Sequence, residues 1–411
     1  MLTRQDCIDL DAADPLRGHQ KDFVLPDDVI YFDGNSLGAL PHCVIERLGR
    51  TVTSQWGQDL IGGWNKHWIG MPVSVGEKIA PIIGAAPGQV VCADSTSVNL
   101  FKLLAAALQL NATRRTIVTQ ADNFPTDLYM AQGLARLVGE QNCRLKQVDE
   151  ALLRQSIDDD TCVVMLTEVN FRNGRRHDVA AITRAAHARG ALVLWDLAHS
   201  AGAMPVHLDD WDVDLAVGCG YKFLNGGPGA PAFLYVAKRH QERAIQPLAG
   251  WMGHAAPFDF DADYVPGSGV MRFLCGTPSV LGLSALDAAL DMWRDIDLHV
   301  VRDKSQRLSR LFIELVSGAD ALQSLVLISP TDDNARGSQV CYQHSDGYGM
   351  VQALIAQGVV ADFRAPDILR FGFSPLYNGY VDVWDAVARL ADLVASGTHL
   401  HDDFQSKSLV T

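Results

Sequence analysis

Short apolar runs alternate along much of this chain with longer stretches in which apolar positions recur at helical spacing. Thr116 to Thr119, Cys162 to Thr167, Leu192 to Trp195, Ala216 to Cys219 and Phe233 to Val236 read as buried strands. Asp127 to Val138 and Val179 to Ala188 read as helices between them. Continuous apolar strands alternating with helices predict an α/β protein with a mostly parallel sheet and crossover helices. A long amphipathic stretch, Pro278 to Ser317, leads into a region where Leu325 to Ile328, Gln339 to Tyr342 and Ile368 to Phe373 read as strands. Tyr348 to Gln357 and Val381 to Ala395 read as its helices. The division expected is a large domain over 31–290 and a smaller α+β domain over 291–411, which the first 30 residues join. The polar tail after Gly397 is expected to be loosely held.

Charge narrows the choice of partners. The 411 residues carry 34 lysines and arginines against 48 acidic groups, a net charge of −14. That balance argues against nucleic acid or an anionic membrane as the main partner, so any positive pocket must be local. The N-terminal residues are polar, and no apolar run approaches membrane-spanning length, so a cytoplasmic location is expected. Eight cysteines lie scattered without a Cys-x-x-Cys pair, and Cys162 and Cys219 fall in strand-like runs, which fits reduced core residues. Thirteen histidines show no His-Glu-x-x-His spacing, so no metal site is expected. Asn111-Ala112-Thr113 matches a glycosylation acceptor, but without a secretory signal the match is fortuitous.

Two residues at the ends of apolar runs carry the chemistry. Asp196 closes the run Ala191 to Trp195, and Lys222 follows the run Leu215 to Gly218 and leads into Asn225-Gly226-Gly227-Pro228-Gly229. Alone, the aspartate reads equally well as a helix cap, while the lysine, a residue type usually solvated, is set apart by its flanks Tyr221 and Phe223 and by the turn after it. Together they supply what pyridoxal phosphate needs: an amine for the Schiff base and a carboxylate to keep the pyridine nitrogen protonated. Asp94-Ser95-Thr96-Ser97 precedes an apolar helical run, a hydroxyl-rich start whose free N–H groups suit either an ordinary cap or a bound phosphate. The Walker pattern is absent, and Gly226 to Gly229 reads as a turn.

Six segments resemble the kynureninase family, fold-type I pyridoxal phosphate enzymes related to the class V aminotransferases. They are Tyr31 to Gly38, Asn123-Phe124-Pro125-Thr126-Asp127, Trp195 to Gly202, Tyr221 to Gly229, Leu248 to His254 and Arg370 to Tyr377, and they span nearly the whole chain. The resemblance implies a seven-stranded, mostly parallel central sheet flanked by helices, with a smaller α+β C-terminal domain. It implies pyridoxal 5'-phosphate as cofactor and hydrolytic Cβ–Cγ cleavage of L-kynurenine to anthranilate and L-alanine. It places Thr96, Ser97 and Tyr221 at the phosphate, Phe124 stacked on the pyridine ring, and Pro125, Thr126, Asp127, Thr167, Asp196 and His199 around it. His199 is left to bond either Asp196 or the ring's phenolic oxygen.

Trp251 and Thr277 match positions that reach the phosphate from a second subunit, which implies a homodimer with a shared site. Arg370 matches the arginine for the substrate α-carboxylate, and strand alternation sets it opposite Phe371 and Phe373. Lys222 is the expected base at the α-carbon, and Tyr221 either a proton donor or a phosphate ligand only. Trp64, Gly276 and Thr277 fall where the family's aryl pocket is formed, and their limited hydrogen bonding favours kynurenine over its 3-hydroxy analogue. A class V aminotransferase or cysteine desulfurase would share the aspartate and lysine. A desulfurase needs an activated cysteine, and Cys275 before Gly276-Thr277-Pro278 lacks such a setting.

Overall fold

The computed structural model describes residues 2–406. Its centre is a seven-stranded sheet of β1 (Val90–Cys92), β2 (Thr116–Gln120), β3 (Arg144–Val148), β4 (Thr161–Thr167), β5 (Leu192–Asp196), β6 (Leu215–Cys219) and β7 (Ala232–Val236). Across the sheet the order is β1-β7-β6-β5-β4-β2-β3. The four pairings from β3 to β6 are parallel, whereas β7 runs antiparallel to both β6 and β1. Every residue of β2, β4, β6 and β7 is buried, as continuous apolar strands covered on both faces must be. Two strands escape the hydrophobic pattern for opposite reasons. β1 is only three residues long, and β3, Arg-Leu-Lys-Gln-Val, is an edge strand whose charged side chains face water.

The helix α1 (Arg4–Ala12) opens the chain; α2 (Thr96–Leu110), α3 (Pro125–Val138) and α4 (Val179–His187) accompany the large sheet. The stretch from Pro278 to Ser317 is not one helix but two, α5 (Val280–Asp291) and α6 (Leu298–Gly318). Ile296 is extended, and the Asp297 carboxylate accepts from the His299 N–H at 2.8 Å, capping a new helix where the pattern alone continues unbroken.

A four-stranded antiparallel sheet follows, in the order β8 (Val326–Leu327), β9 (Gln339–Gln343), β11 (Ile368–Gly372) and β10 (Asp362–Arg364). The helices α7 (Gly347–Ala356) and α8 (Tyr380–Ala395) belong to this part of the chain. Their apolar faces close on one cluster with Phe312, Phe371 and Phe373, and Cys7, Ile30 and Phe32 of the N-terminal segment enter it. The tail is better held than its polarity suggests. Gln405 donates to the His399 carbonyl at 2.7 Å, His399 is buried, and the Tyr348 hydroxyl of α7 donates to the Ser406 carbonyl at 2.9 Å. The expectation of a loose tail fails over 398–406; residues 407–411 lie outside those described.

At the N-terminal edge of the parallel strands, Asp214 gathers the ends of β5 and β6. Its buried carboxylate accepts from the Val193 N–H at 2.8 Å and from Arg239 at 2.7 Å, and lies 2.8 Å from His187 Nε2 and 2.7 Å from His240 Nε2. Burial alone would raise this carboxyl, but the hydrogen bonds from His187 and His240 hold it well below its ordinary value. The same hydrogen bond raises His187. Asp214→Asn should therefore destabilise the fold by about 2–4 kcal/mol. Asp214 contributes above its unfolded value near 3.8, and His187 contributes fully below its unfolded value near 6.5, fading as pH rises through its raised folded value. Urea midpoints of both proteins over a pH series check this. The difference should be largest between those two values and narrow on the alkaline side, and an unchanged difference would remove His187 from the account.

Candidate active site

Strands that end beside the site deliver functional side chains where they stop or just beyond. Thr167 ends β4, Asp196 ends β5 with His199 three residues on, and Tyr221 and Lys222 follow β6 directly. Two helix starts complete the wall: Ser95, Thr96 and Ser97 at α2, and Phe124, Thr126 and Asp127 at α3. These side chains line one cavity of about 230 Å³. Ser95 caps α2, its hydroxyl accepting from the Val98 N–H at 3.3 Å, which leaves the first turn's other N–H groups and the Thr96 and Ser97 hydroxyls for an anion. The lysine loop is held by close backbone approach. The Gly38 N–H donates to the Tyr221 carbonyl at 2.8 Å, and a Cβ at Gly38 would lie 2.2 Å from the Lys222 carbonyl oxygen. Asn225, Gly227 and Gly229 turn the chain away with φ of 58°, 85° and 74°.

Burial sets the protonation of the site. Desolvation lowers Lys222 from its ordinary value, opposed by Cys219 and Asp196 and reinforced by Arg370 and Arg364. Lys222 is half-buried on the cavity wall, with its amine 5.9 Å from the ring centres of both Phe124 and Tyr221. Desolvation raises Asp196, while Lys222 and the Ala198 N–H, 2.8 Å from Oδ1, pull it back. Asp127 rises well above the carboxylate range through desolvation and then the charge of Asp196. The Thr167 hydroxyl lies 2.5 Å from Asn123 Oδ1 and 3.2 Å from Asp127 Oδ2. Desolvation also pushes the Tyr221 phenol up to about 12, so it stays protonated at neutral pH.

Not every residue named from the sequence comes to this cavity. Pro125 starts α3 and does not line the wall. Trp251, Thr277, Trp64 and Gly276 also lie outside it within one chain. Thr277 and Gly276 are exposed, Trp251 packs on Phe258 and Phe260 with all three rings exposed, and Trp64 packs edge-on against Trp68. Arg370 is buried beside the cavity and not on its wall. Its guanidinium pairs with Asp362, directly opposite on β10, and donates to Ser36 Oγ at 2.8 Å and to the Phe171 carbonyl at 3.0 Å. Arg364 reaches the same Asp362 oxygen at 2.8 Å. Phe371 and Phe373 point the other way, into the small-sheet core, as alternation requires.

Several contributors carry no local signal. Phe171 lines the cavity and meets Phe124 edge-on at 5.2 Å. Asp94 lines it with φ of 52°, paired with the fully buried Lys102, which also donates to the Phe273 carbonyl at 2.5 Å. Gln339 of β9 lies 3.0 Å from His199 Nδ1. Asp94 opens the hydroxyl-rich motif that the sequence already singled out, though not as a cavity residue, whereas Phe171 and Gln339 are recognisable only once the chain is folded.

The wall fits pyridoxal phosphate. A helix start with hydroxyls suits the phosphate, a desolvated amine suits the aldehyde, and the buried carboxylate of Asp196 requires a cation of the kind a protonated ring nitrogen provides. Asp127 Oδ1 is buried without a hydrogen-bond partner, a vacancy in the protein's own bonding that a group filling the cavity can satisfy. Fold and site together define a fold-type I pyridoxal phosphate enzyme. Among solved structures, a cysteine desulfurase from Thermococcus onnurineus superposes with a TM-score of 0.77 over 92% of this chain and 98% of that one, at 20% identity. The cystine C–S lyase C-DES gives 0.74 over 89% and 98%, at 18%. At such identities the likeness is one of fold.

Sequence relatives go further. Residues 301–390 match the model of the kynureninase C-terminal domain. A kynureninase from Deinococcus radiodurans is 54% identical over 388 residues, covering 93% of this chain and 94% of that protein. One from Burkholderia pseudomallei is 47% identical over 417 residues and spans both chains completely. The chain belongs to the kynureninase family, and its cofactor is pyridoxal 5'-phosphate. Borohydride treatment of the loaded protein should fix the cofactor to Lys222, as read by peptide mapping; a label on any other lysine would reject that assignment.

Proposed function

We propose that this chain hydrolyses the Cβ–Cγ bond of L-kynurenine, releasing anthranilate and L-alanine, in tryptophan breakdown. The observation that carries this reading is full-length identity with kynureninases of 47% and 54%. Pyridoxal phosphate supplies, when bound, an electron sink for the charge that C–C cleavage leaves on the amino-acid portion. The protein's part is to hold, orient and move protons. The lowered affinity of Lys222 for its proton gives it a larger neutral fraction, which serves it both as the amine that binds the cofactor and as the base for the substrate α-proton. Thr96, Ser97 and the α2 start would hold the phosphate, Phe124 would cover the ring, and Thr126, Asp127, Thr167, Asp196 and His199, which line the same cavity, would surround it. Tyr221, kept as a phenol, has a proton to donate beside the phosphate.

The substrate needs contacts beyond this cavity. Arg370 is proposed to take the α-carboxylate by exchanging part of its bonding to Asp362 and Ser36, with Arg364 remaining on Asp362. Trp251, Thr277, Gly276 and Trp64 are proposed to act across a homodimer, where Trp251 and Thr277 meet the partner's phosphate and Trp64, Gly276 and Thr277 shape the aryl pocket. The exposed rings of Trp251, Phe258 and Phe260 support a covered surface there. 3-Hydroxykynurenine is expected to be cleaved less efficiently. No helix among the described residues is long and apolar enough to cross a membrane, and a cytoplasmic location is proposed. A desulfurase reading is not favoured, since the Cys275 thiol is raised by burial and lies 3.0 Å from the Leu248 carbonyl.

Mixing the loaded protein with kynurenine should generate anthranilate fluorescence with equimolar alanine, and cysteine should give no sulfide; the reverse pattern would overturn the reading. Arg370→Gln should raise KM for kynurenine about tenfold or more, the value of one charge-assisted hydrogen bond, and lower kcat because the carboxylate also orients the α-proton. Its cofactor absorbance should persist. Normal kinetics in this variant would send the carboxylate elsewhere.

A further inference from the structure

His199 is the one titratable cavity residue whose bonding polarity is settled by a neighbour on the other sheet. The residue is 4% exposed and lines the cavity with Asp196, Tyr221 and Lys222. Nδ1 lies 3.0 Å from the side-chain oxygen of Gln339, and this is the side-chain hydrogen bond that His199 makes among the described residues. Which nitrogen carries the proton depends on which way the Gln339 amide points.

The backbone around Gln339 decides that. Its Nε2 donates to the Phe171 carbonyl at 3.1 Å, with the Asn170 carbonyl at 3.5 Å on the same side. Carbonyl oxygens only accept, so the NH₂ group must face them and the amide oxygen must face His199. Asn35 Nδ2 approaches that oxygen at 3.4 Å, a further donor to an acceptor. An amide turned the other way would set its oxygen against two buried carbonyl oxygens, losing its donors and leaving those acceptors opposed. A carbonyl oxygen beside Nδ1 requires a proton on Nδ1.

We propose that Gln339 is a positioning residue that locks His199 as its Nδ1–H tautomer, so that the ring offers the cavity only an acceptor, Nε2. Any cofactor or substrate group facing His199 must then bring the proton itself: a hydroxyl, an amine or a water, never a bare oxyanion. The charged groups around the ring support the neutral state. Desolvation first, then the cations of Lys222, Arg370 and Arg364, push His199 well below its ordinary value, and the hydrogen bond to Gln339 opposes them only in part. The lock spans the two sheets. Gln339 sits on β9 opposite Gly372, whereas His199 and Phe171 come from loops after β5 and β4. A Cβ at Gly372 would lie 1.8 Å from Asn35 Oδ1, so the packing that seats Gln339 tolerates no side chain there. The Phe171 carbonyl also accepts from Arg370 at 3.0 Å, which puts the tautomer lock and the proposed carboxylate arginine on one acceptor.

The inference rests on the cavity geometry and holds whichever substrate is turned over. Its test is nitrogen-15 NMR of the protein labelled at its histidine ring nitrogens, with and without pyridoxal phosphate, using His199→Asn to assign the signal. The wild-type signal should report a protonated Nδ1 and a bare Nε2 across roughly pH 6 to 8, the range in which an ordinary histidine titrates. Gln339→Leu should yield a mixture of tautomers and lower kcat about tenfold, the loss of one buried hydrogen bond. Gln339→Glu should keep the proton on Nδ1 but move the titration of His199 up toward neutrality. A wild-type ring protonated on Nε2 or on both nitrogens overturns the proposal whether or not the variants fold. So does a folded Gln339→Leu protein whose Nδ1–H signature is unchanged.

Discussion

The site depends on desolvating an amine and a carboxylate at the ends of adjacent strands. Asp196 and Lys222 follow β5 and β6, which pair in parallel, and each feels the other's charge. In water both would be fully ionised and chemically quiet. In the cavity, burial pulls the lysine down and the aspartate up, toward the neutral forms from which proton transfer and amine chemistry begin. Neither group could be held this way on a lone loop, because the cost of burying it must be met by the packing of the sheet beneath. The fully buried strands β4, β6 and β7 are therefore as much a part of the site as the polar side chains above them.

The sheet alone does not complete the polar network. Phe171, in the loop after β4, presents its ring to the cavity and its carbonyl to two side chains of the small sheet, Arg370 and Gln339. Both donors lie at neighbouring positions in the β9–β11 pairing, and both are nearly inaccessible. Moving one sheet relative to the other would strand a buried guanidinium and a buried amide together. Residues Asp33 to Gly38 lie in the same joint, since Ser36 accepts from Arg370 and Gly38 touches the lysine loop. The N-terminal segment thus joins the small core through Ile30 and Phe32 and meets the Tyr221–Lys222 loop a few residues later.

What was legible in the sequence follows from how local each signal is. Asp196, Lys222 and the serine-threonine start of α2 announce themselves because strand, turn and cap are written within a few residues of the functional group. β4, β5, β6 and β7 were legible because each is continuously apolar, while polar β3 and brief β1 were not. The break between α5 and α6 was hidden because a short turn over Met292–Asp295 carries the apolar pattern on past the end of α5, and only the capping carboxylate of Asp297 marks the new start. Gln339 resembles any polar residue at a strand start. Its partner His199 lies 140 positions away, and no periodicity or spacing connects them.

The same distinction explains why a single folded chain brings together some expected residues and leaves others apart. Thr96, Ser97, Phe124, Thr126, Asp127, Thr167, Asp196, His199, Tyr221 and Lys222 all sit at the ends or starts of elements tied to one sheet, so folding that sheet assembles them. Trp64, Trp251, Gly276 and Thr277 do not line that cavity within one chain, and Trp251, Gly276 and Thr277 are exposed. Either these residues serve the surface, or the site is finished by a second copy that supplies them in trans. The exposed, mutually stacked rings of Trp251 and Phe260, 6.3 Å apart, favour the second. A lone chain gains little from ordering two large apolar rings in water, whereas an interface gains their burial.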